Sequence, residues 1–190
     1  MERADIYKQV FNEQHFSDQS LAIGDYEKCE FFNCDFSGSN LSKIYFTDCD
    51  FSGCNFSNAK LADTAFRNVT FTGCKMLGLH FEDCNKFLLE MSFDGCVLNH
   101  SSFYQLTLKK GIFNNCSMHE VDFTEAELPG SSFLDTDLAG AVFEQTNLQE
   151  ADLRTARNWQ IKPEVNNIKK AHFSVTNIQG LVAHYDIDIS

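Results

Sequence analysis

The sequence predicts an all-β fold in which short strands wind into a four-sided coil. A large apolar residue recurs at every fifth position over residues 11–81, a period that suits neither an α-helix nor an open strand. A small or short residue usually stands two positions earlier, and polar residues or glycine fill most other places. A second period of 20 aligns Phe11, Phe31, Phe51 and Phe71. Four sides of five residues therefore close one coil, and successive coils stack about 4.8 Å apart.

This register divides the chain into three segments. Residues 1–10 are expected to form an N-terminal cap, because the open end of such a coil needs covering. Residues 11–153 form the repeat region, with about seven coils and a length on the order of 35 Å. Each fully buried ring of its core contributes roughly 1.5–3 kcal/mol. Residues 154–190 form a C-terminal cap and, as argued below, a dimerisation segment.

The register breaks once, within residues 82–87. The step from Phe81 to the next apolar position, Leu88, is seven residues, and Cys74 and Cys96 are 22 residues apart. We therefore expect a two-residue insertion that forms a small bulge. One interpretation is a neutral insertion tolerated on the surface. The other is a contact loop that carries Asp83, Asn85, Lys86 and Phe87.

The C-terminal segment has a different pattern. It contains the single tryptophan, Trp159, and the sequence favours a short helix over Val175–Ala183 followed by an extended segment over Tyr185–Ile189. It carries more apolar residues than a lid requires: Phe173, Ile178, Leu181, Val182, Tyr185 and Ile187.

The sequence offers no arrangement for catalysis, metal binding or cofactor binding. It has no Gly-rich phosphate loop, nucleophile elbow or His-Glu-x-x-His motif, and the six histidines share no common spacing. Seven of the eight cysteines occupy the small inward position and are interpreted as buried, reduced residues: Cys29, Cys34, Cys49, Cys54, Cys74, Cys96 and Cys116. Seven glycines stand two positions after a large apolar residue and are interpreted as corners: Gly38, Gly53, Gly73, Gly78, Gly95, Gly130 and Gly140.

Composition narrows the class of partner. The formal net charge of −12 argues against a surface that grips nucleic-acid phosphates. The N-terminus lacks the pattern of a secretory signal, and no apolar run reaches the ~20 residues needed to span a bilayer. We therefore expect a cytoplasmic protein.

Several units match one known consensus of a small residue, Asp or Asn, then Leu or Phe. Examples are Ala-Asp-Leu at 151–153, Cys-Asp-Phe at 34–36 and 49–51, and Cys-Asn-Phe at 54–56. On these motifs the chain resembles the pentapeptide-repeat proteins. Four further stretches, 10–17, 29–37, 74–78 and 168–174, are similar to the gyrase-protecting branch of that family, with its quinolone-resistance, microcin B17-immunity and albicidin-resistance members. The resemblance implies a right-handed quadrilateral β-helix and a homodimer joined through the C-terminal segment. The chain lacks the long projecting loop in the second half that quinolone-resistance members have.

Acidic residues are the remaining functional signal. Residues 121–155 contain one basic residue, Arg154, and eight acidic residues: Asp122, Glu125, Glu127, Asp135, Asp137, Glu144, Glu150 and Asp152. A stiff anionic rod, doubled by a dimer, approaches the length of about 20 base pairs of duplex DNA. The first hypothesis is thus a non-enzymatic DNA mimic that binds DNA gyrase, with topoisomerase IV as a second candidate target, and that modulates the enzyme or shields it from a poison.

Two other classes stay open from sequence alone. One is a scaffold with an unrelated protein partner, and the other is an acidic module that binds a small cation. A contiguous acidic stripe on a dimer would favour the DNA mimic. A monomer with acidity spread over four faces would favour the scaffold.

Overall fold

In the computed structural model, which describes residues 3–185 together with 187 and 188, the chain is a four-sided β-solenoid. Its strands are short because each side of a coil has only five residues before the next corner. In chain order they are β1 Ala4–Tyr7, β2 Val10–Asn12, β3 Gly24–Glu27, β4 Glu30–Phe32, β5 Tyr45–Thr47, β6 Asp50–Ser52, β7 Ala65–Arg67, β8 Val69–Thr72, β9 Met91–Asp94 and β10 Ile112–Asn114.

The strands form two parallel sheets on neighbouring sides of the coil. One has the order β1-β3-β5-β7, and the other has the order β10-β9-β8-β6-β4-β2, which covers six successive turns. Phe11 pairs with Phe31, Phe31 with Phe51 and Phe51 with Phe71, which confirms the predicted period of 20. Isolated bridges carry the second sheet's side further, from Ile112 as far as His172.

The coil is longer than the predicted repeat region at both ends. At the start, β1 pairs with β3 within the segment that the sequence assigned to a cap. At the other end, Asn147 bridges Asn167, and Asp152 bridges His172, beyond the predicted limit at Leu153. The coil extends beyond the last unit that matches the sequence motif, because backbone bridges between coils require the coil conformation and not the consensus side chains.

Four columns of bridged residues define the outer faces, which we number 1 to 4. Face 1 carries the column Ile112, Ser132, Asp152; face 2 carries Ser117, Asp137, Arg157; face 3 carries Ser102, Asp122, Val142; face 4 carries Thr107, Glu127, Asn147.

The predicted two-residue insertion is confirmed. Pairing keeps a 22-residue offset from Val69–Met91 to the bridge between His80 and Ser102, and returns to 20 afterwards. The backbone N–H of Asp63 still donates to the carbonyl of Asp83 at 2.9 Å, so the extra residues lie between positions 83 and 91.

The inward residue after the insertion differs from the prediction. Leu88 was expected to point into the core, but it is 66% exposed and has a positive φ of 57°. Leu89 packs against the core instead, and Cys84, which the sequence did not place, occupies the inward position before the insertion. The two added residues make the chain loop outward. It re-enters the regular coil one residue later than the sequence pattern predicts, so Leu89 and not Leu88 faces the core.

The corners account for the glycine pattern. All seven predicted corner glycines have φ between 60° and 69°. The equivalent corners elsewhere hold non-glycine residues in the same left-handed conformation, such as Asn33 at 51° and Asp135 at 56°. Asparagine and aspartate tolerate this region better than most residues.

Stacked aromatic rings fill the interior. The Phe51 ring lies parallel to Phe31 at 4.6 Å and to Phe71 at 5.2 Å, and meets Phe46 and Phe56 edge-on at 5.2 Å. The small inward positions also donate hydrogen bonds across coils. The Cys54 thiol donates to the Phe31 carbonyl at 3.4 Å, and the Thr146 hydroxyl donates to the Phe123 carbonyl at 2.8 Å. Small polar residues are therefore compatible with this core.

The C-terminal segment closes the last coil. The Trp159 and Phe173 rings pack at a tilt of 42° with centroids 4.9 Å apart, and Gly180 lies so close that a Cβ there would stand 2.5 Å from the Trp159 ring. The Asn177 amide donates to the backbone carbonyl of Ala156 at 3.0 Å. This segment therefore packs on its own chain.

The prediction of a single helix over Val175–Ala183 is wrong. The chain forms two short 3-10 helices instead, Ile178–Leu181 and Ala183–Tyr185. Contact with the flat end of the coil holds the segment close and leaves no room for a full α-helical turn beside Trp159. The predicted extended segment over Tyr185–Ile189 lies partly outside the described residues.

Deleting Lys86 and Phe87 is expected to preserve the fold and to keep the free energy of unfolding within about 2 kcal/mol of the wild type, or above it. The remaining Cys84-Asn85-Leu88-Leu89-Glu90 has the spacing of a regular side, so Leu88 would enter the core. Denaturant unfolding followed by circular dichroism measures the effect. Deleting Ala139 and Gly140 from a regular side is the control and should destabilise strongly, because it shifts every later residue out of register. Strong destabilisation by the first deletion would contradict this account of the insertion.

Candidate functional site

The outer surface carries the functional candidates, because the interior is filled by side chains. Within residues 3–185, no three His, Cys, Asp or Glu side chains converge in an arrangement that could hold a metal ion. No helix in this range is long and apolar enough to cross a lipid bilayer.

The eight predicted acidic residues do not form one surface. Asp152 lies on face 1, Asp137 on face 2, Asp122 on face 3 and Glu127 on face 4. A quadrilateral coil places residues five apart on successive faces, so acidity that is dense along the chain is dispersed around the rod.

Half of these carboxylates have a basic partner in the same chain. Arg154 Nη2 lies 2.6 Å from Asp152, Lys162 Nζ 2.9 Å from Glu144, and Lys170 Nζ 4.0 Å from Glu150. The hydrogen bond from Arg154 holds the pKa of Asp152 below its usual range.

Asp137 is the fourth paired carboxylate, with His119 Nε2 at 3.3 Å. Partial burial acts to raise the pKa of Asp137, but hydrogen bonds from Asn158 and His119 outweigh it and lower the pKa. Three of these pairs join adjacent coils, whereas Asp152 and Arg154 are two residues apart, and exposed pairs of this kind contribute little to stability.

A different acidic array lies on face 3 and its corner. Asp63 and Glu125 occupy left-handed corner positions of their coils, Asp83 holds the same register position at the end of a short 3-10 helix, Phe81–Asp83, and Gln105 lies between Asp83 and Glu125. Asp122 lies beside them on the face. Among the described residues, no Lys, Arg or His nitrogen lies within 4.0 Å of any of these four carboxylates. We call Asp63, Asp83, Asp122 and Glu125 the face 3 array.

Neutral donors orient the array. The Gln105 amide donates to Glu125 at 2.7 Å, and the Asn85 amide donates to Asp63 at 2.7 Å. The Thr124 backbone N–H donates to Asp122 at 2.8 Å. Sequence reasoning named Asp83, Asp122 and Glu125 but did not group them, and it missed Asp63, because corner residues that stack on one another are 20 or 22 residues apart in the chain. Following the corner position through the register break would have found it.

The insertion brings its predicted residues together around one turn. The Phe87 N–H donates to Asn85 Oδ1 at 3.0 Å, and Arg67 Nε donates to the Phe87 carbonyl at 3.4 Å. The side chains of Lys86 and Phe87 are exposed, and Asp83 belongs to the face 3 array.

The six predicted dimer residues divide into two groups. Phe173 and Leu181 pack against the core of their own chain, which accounts for part of the apolar excess. Val182 is half-buried, and Ile178, Tyr185 and Ile187 are exposed. These four residues are available for contact with another molecule, so the predicted homodimer stays a prediction.

None of the eight thiols is expected to react with a thiol reagent in the folded protein. All eight cysteines are buried and unpaired, and burial raises the pKa of Cys49 to about 12. Titration with Ellman's reagent should detect no thiol before denaturation and eight afterwards. Rapid reaction of any thiol under native conditions would contradict the assigned register.

The fold defines a class of protein: a four-sided solenoid with a filled core, in which binding uses the outer surface of the coil and not an enclosed cavity. Two family descriptions match: "Pentapeptide repeat region" over residues 25–103 and "Pentapeptide repeats (8 copies)" over residues 116–154. Together they span more than half of the sequence. The chain belongs to the pentapeptide-repeat family, whose members are generally non-catalytic scaffolds.

Two solved structures are similar to this chain at low sequence identity. Full-length QnrB1, a plasmid-mediated fluoroquinolone resistance protein, is 19% identical, with 95% of this chain and 99% of that chain covered and a TM-score of 0.46. HetL from the cyanobacterium Nostoc sp. strain PCC 7120, involved in heterocyst differentiation regulation, is 18% identical, with coverages of 90% and 87% and a TM-score of 0.46. No curated protein sequence matches the chain.

Proposed function

We propose that this chain is a non-enzymatic DNA mimic that binds a type II topoisomerase, DNA gyrase or topoisomerase IV. The observation that supports the proposal is the face 3 array, in which carboxylates without basic partners recur along one edge of a rigid rod. Binding modulates the enzyme or shields it from a topoisomerase poison.

The array suits a surface built for DNA. Coils spaced about 4.8 Å apart present charge at intervals comparable with the phosphate spacing of a duplex. A DNA-binding saddle is basic, so opposite charge accelerates encounter and fixes orientation. The carboxylates stand on backbone that is bonded coil to coil, and little ordering is required on binding.

A homodimer extends the same surface. Ile178, Val182, Tyr185 and Ile187 at the end of the rod supply apolar contacts for a second copy. Joining two rods end to end doubles the length over which charge is presented. A topoisomerase partner also implies a cytoplasmic location.

A gyrase supercoiling assay tests the proposal. The protein is added at two salt concentrations, with and without a quinolone poison. Inhibition that weakens at higher salt, or protection from the poison, is expected. No effect at tens of micromolar protein would overturn the proposal.

A scaffold with an unrelated protein partner is the second candidate. It is favoured by the dispersion of the eight predicted carboxylates over four faces and by the ion pairs that occupy half of them. If the protein has no effect on the topoisomerase in the supercoiling assay, the scaffold remains as the candidate function.

A further inference from the structure

The insertion produces an apolar projection of two consecutive exposed residues. Phe87 is 67% exposed and Leu88 is 66% exposed, and the two are adjacent. Regular coils bury one large apolar residue on each side, whereas here two consecutive ones point outward. We call Phe87 and Leu88 the apolar projection. Its exposure costs solvation free energy that the deletion of two residues would avoid.

The projection is held in position. The Asn85 side chain accepts from the Phe87 N–H and donates to Asp63, which ties the turn to the coil below. The Arg67 guanidinium lies 5.7 Å from the centre of the Phe87 ring and 5.1 Å from the centre of the Tyr45 ring. A side chain that is fixed before binding loses less entropy in a complex.

Cations surround the projection. Residues 81–91 lie directly beneath residues 103–112, because His80 bridges Ser102 and Ser92 pairs with Ile112. Lys109 and Lys110 therefore lie on the coil next to the projection, while Arg67 lies on the other side. Among the described residues, these three cations and Lys86 have no carboxylate within 4.0 Å. Residues 86–90 also carry the exposed Glu90, so these five residues together with Arg67, Lys109 and Lys110 have four positive charges and one negative charge, opposite in sign to the net charge of the chain.

We propose that the apolar projection inserts into an apolar pocket, bordered by carboxylates, on the same topoisomerase that the face 3 array contacts. The inference rests on the proposed function. The array and the projection meet at one corner of the rod, since Asn85 links Asp63 to Phe87. The contact therefore has two parts of opposite sign, one that matches a basic surface and one that matches an acidic surface.

A protein is favoured over a nucleic acid or an anionic membrane as the occupant. Four cations beside the acidic corner neutralise few phosphates, and the net charge of −12 repels a polyanion. Two apolar side chains suit a pocket, where an exposed aromatic group becomes a binding anchor.

Binding to purified gyrase tests the inference. Four variants are compared with the wild type by surface plasmon resonance: Phe87→Ser, the deletion of Lys86 and Phe87, the double variant Lys109→Glu and Lys110→Glu, and the control Val10→Ser. Val10 is exposed to a similar degree, 63%, on another face. Loss of the projection should weaken binding roughly 30-fold, as for an aromatic anchor. The deletion variant keeps a regular coil, so a loss of binding there is not a loss of fold.

The double variant Lys109→Glu and Lys110→Glu distinguishes an acidic pocket from a wholly basic contact surface, because the two predict opposite changes in binding affinity. Added negative charge should weaken binding if the pocket is acidic. It should strengthen binding if the whole rod lies on a basic surface, and that result would overturn the inference. Unchanged binding of the Phe87→Ser and deletion variants would overturn it while the DNA mimic stands.

Two further outcomes would also be decisive. Absence of wild-type binding to gyrase would remove the proposed function and the inference with it. Wild-type binding to duplex DNA or to vesicles of anionic lipid, lost in the same variants, would assign the projection to those ligands instead.

Discussion

Replacing Phe51 by alanine is expected to lower the free energy of unfolding by about 3–5 kcal/mol. The ring is fully buried and lies in the middle of a column, with Phe31 at 4.6 Å and Phe71 at 5.2 Å. Truncation opens a cavity that the neighbouring coils cannot fill, because their backbones are bonded to each other on both sides of it. Guanidinium unfolding monitored by circular dichroism measures the change.

Phe87→Ala is the matched control for this prediction. It removes the same atoms from an exposed position, so the free energy of unfolding should change by less than about 0.5 kcal/mol. A loss of less than 1 kcal/mol in the Phe51→Ala variant would show that the stacked columns do not form a close-packed core.

Reversing Asp83 and Glu125 to lysine is expected to raise the protein concentration needed for half-inhibition of gyrase at least roughly tenfold. Like charges brought together at an interface cost several kcal/mol. Both residues are exposed corners of face 3 without a basic partner, so folding should be retained. The supercoiling assay gives the effect, and a thermal melt gives the state of folding.

The control for this reversal is a second pair of corner residues. Glu13 and Asp135 lie at equivalent corners of face 1, and their conversion to lysine makes the same change in net charge. If both pairs reduce inhibition equally, the effect belongs to net charge and the face 3 array is not the contact surface. If neither pair has an effect, the contact lies on another face.

The repeat made the fold accessible to sequence reasoning. Each five-residue unit predicts its own conformation, and the period of 20 predicts which units stack, so even the two-residue insertion could be counted. Leu88 shows the limit of this reasoning. An apolar residue at an expected spacing was assigned inward, but a chain that leaves the coil returns where backbone geometry allows, and Leu89 took the place.

The surface was less predictable than the core. Asp137 and Asp152 are close in sequence, yet they lie on different faces and contact His119 and Arg154. Asp137 pairs with His119 on the adjacent coil, whereas Asp152 pairs with Arg154 two residues away, and both pairs depend on rotamers that a consensus does not specify. Asp63 was not predicted as a site residue, because no cluster of acidic residues surrounds it in the sequence.

The insertion also affects the mechanical properties of the rod. Bridges run without interruption along face 2 from His15 to Arg157, and face 1 carries a continuous sheet through the same level. On face 4, the β1-β3-β5-β7 sheet ends at β7, and bridges resume only at Thr107. Two adjacent sides have continuous ladders, whereas at this level the opposite sides lack bridges and keep only separate backbone hydrogen bonds, such as the one from the Asn85 N–H to the Thr64 carbonyl at 2.9 Å. We therefore expect any bending of the rod to be concentrated at this level, next to the face 3 array and the apolar projection.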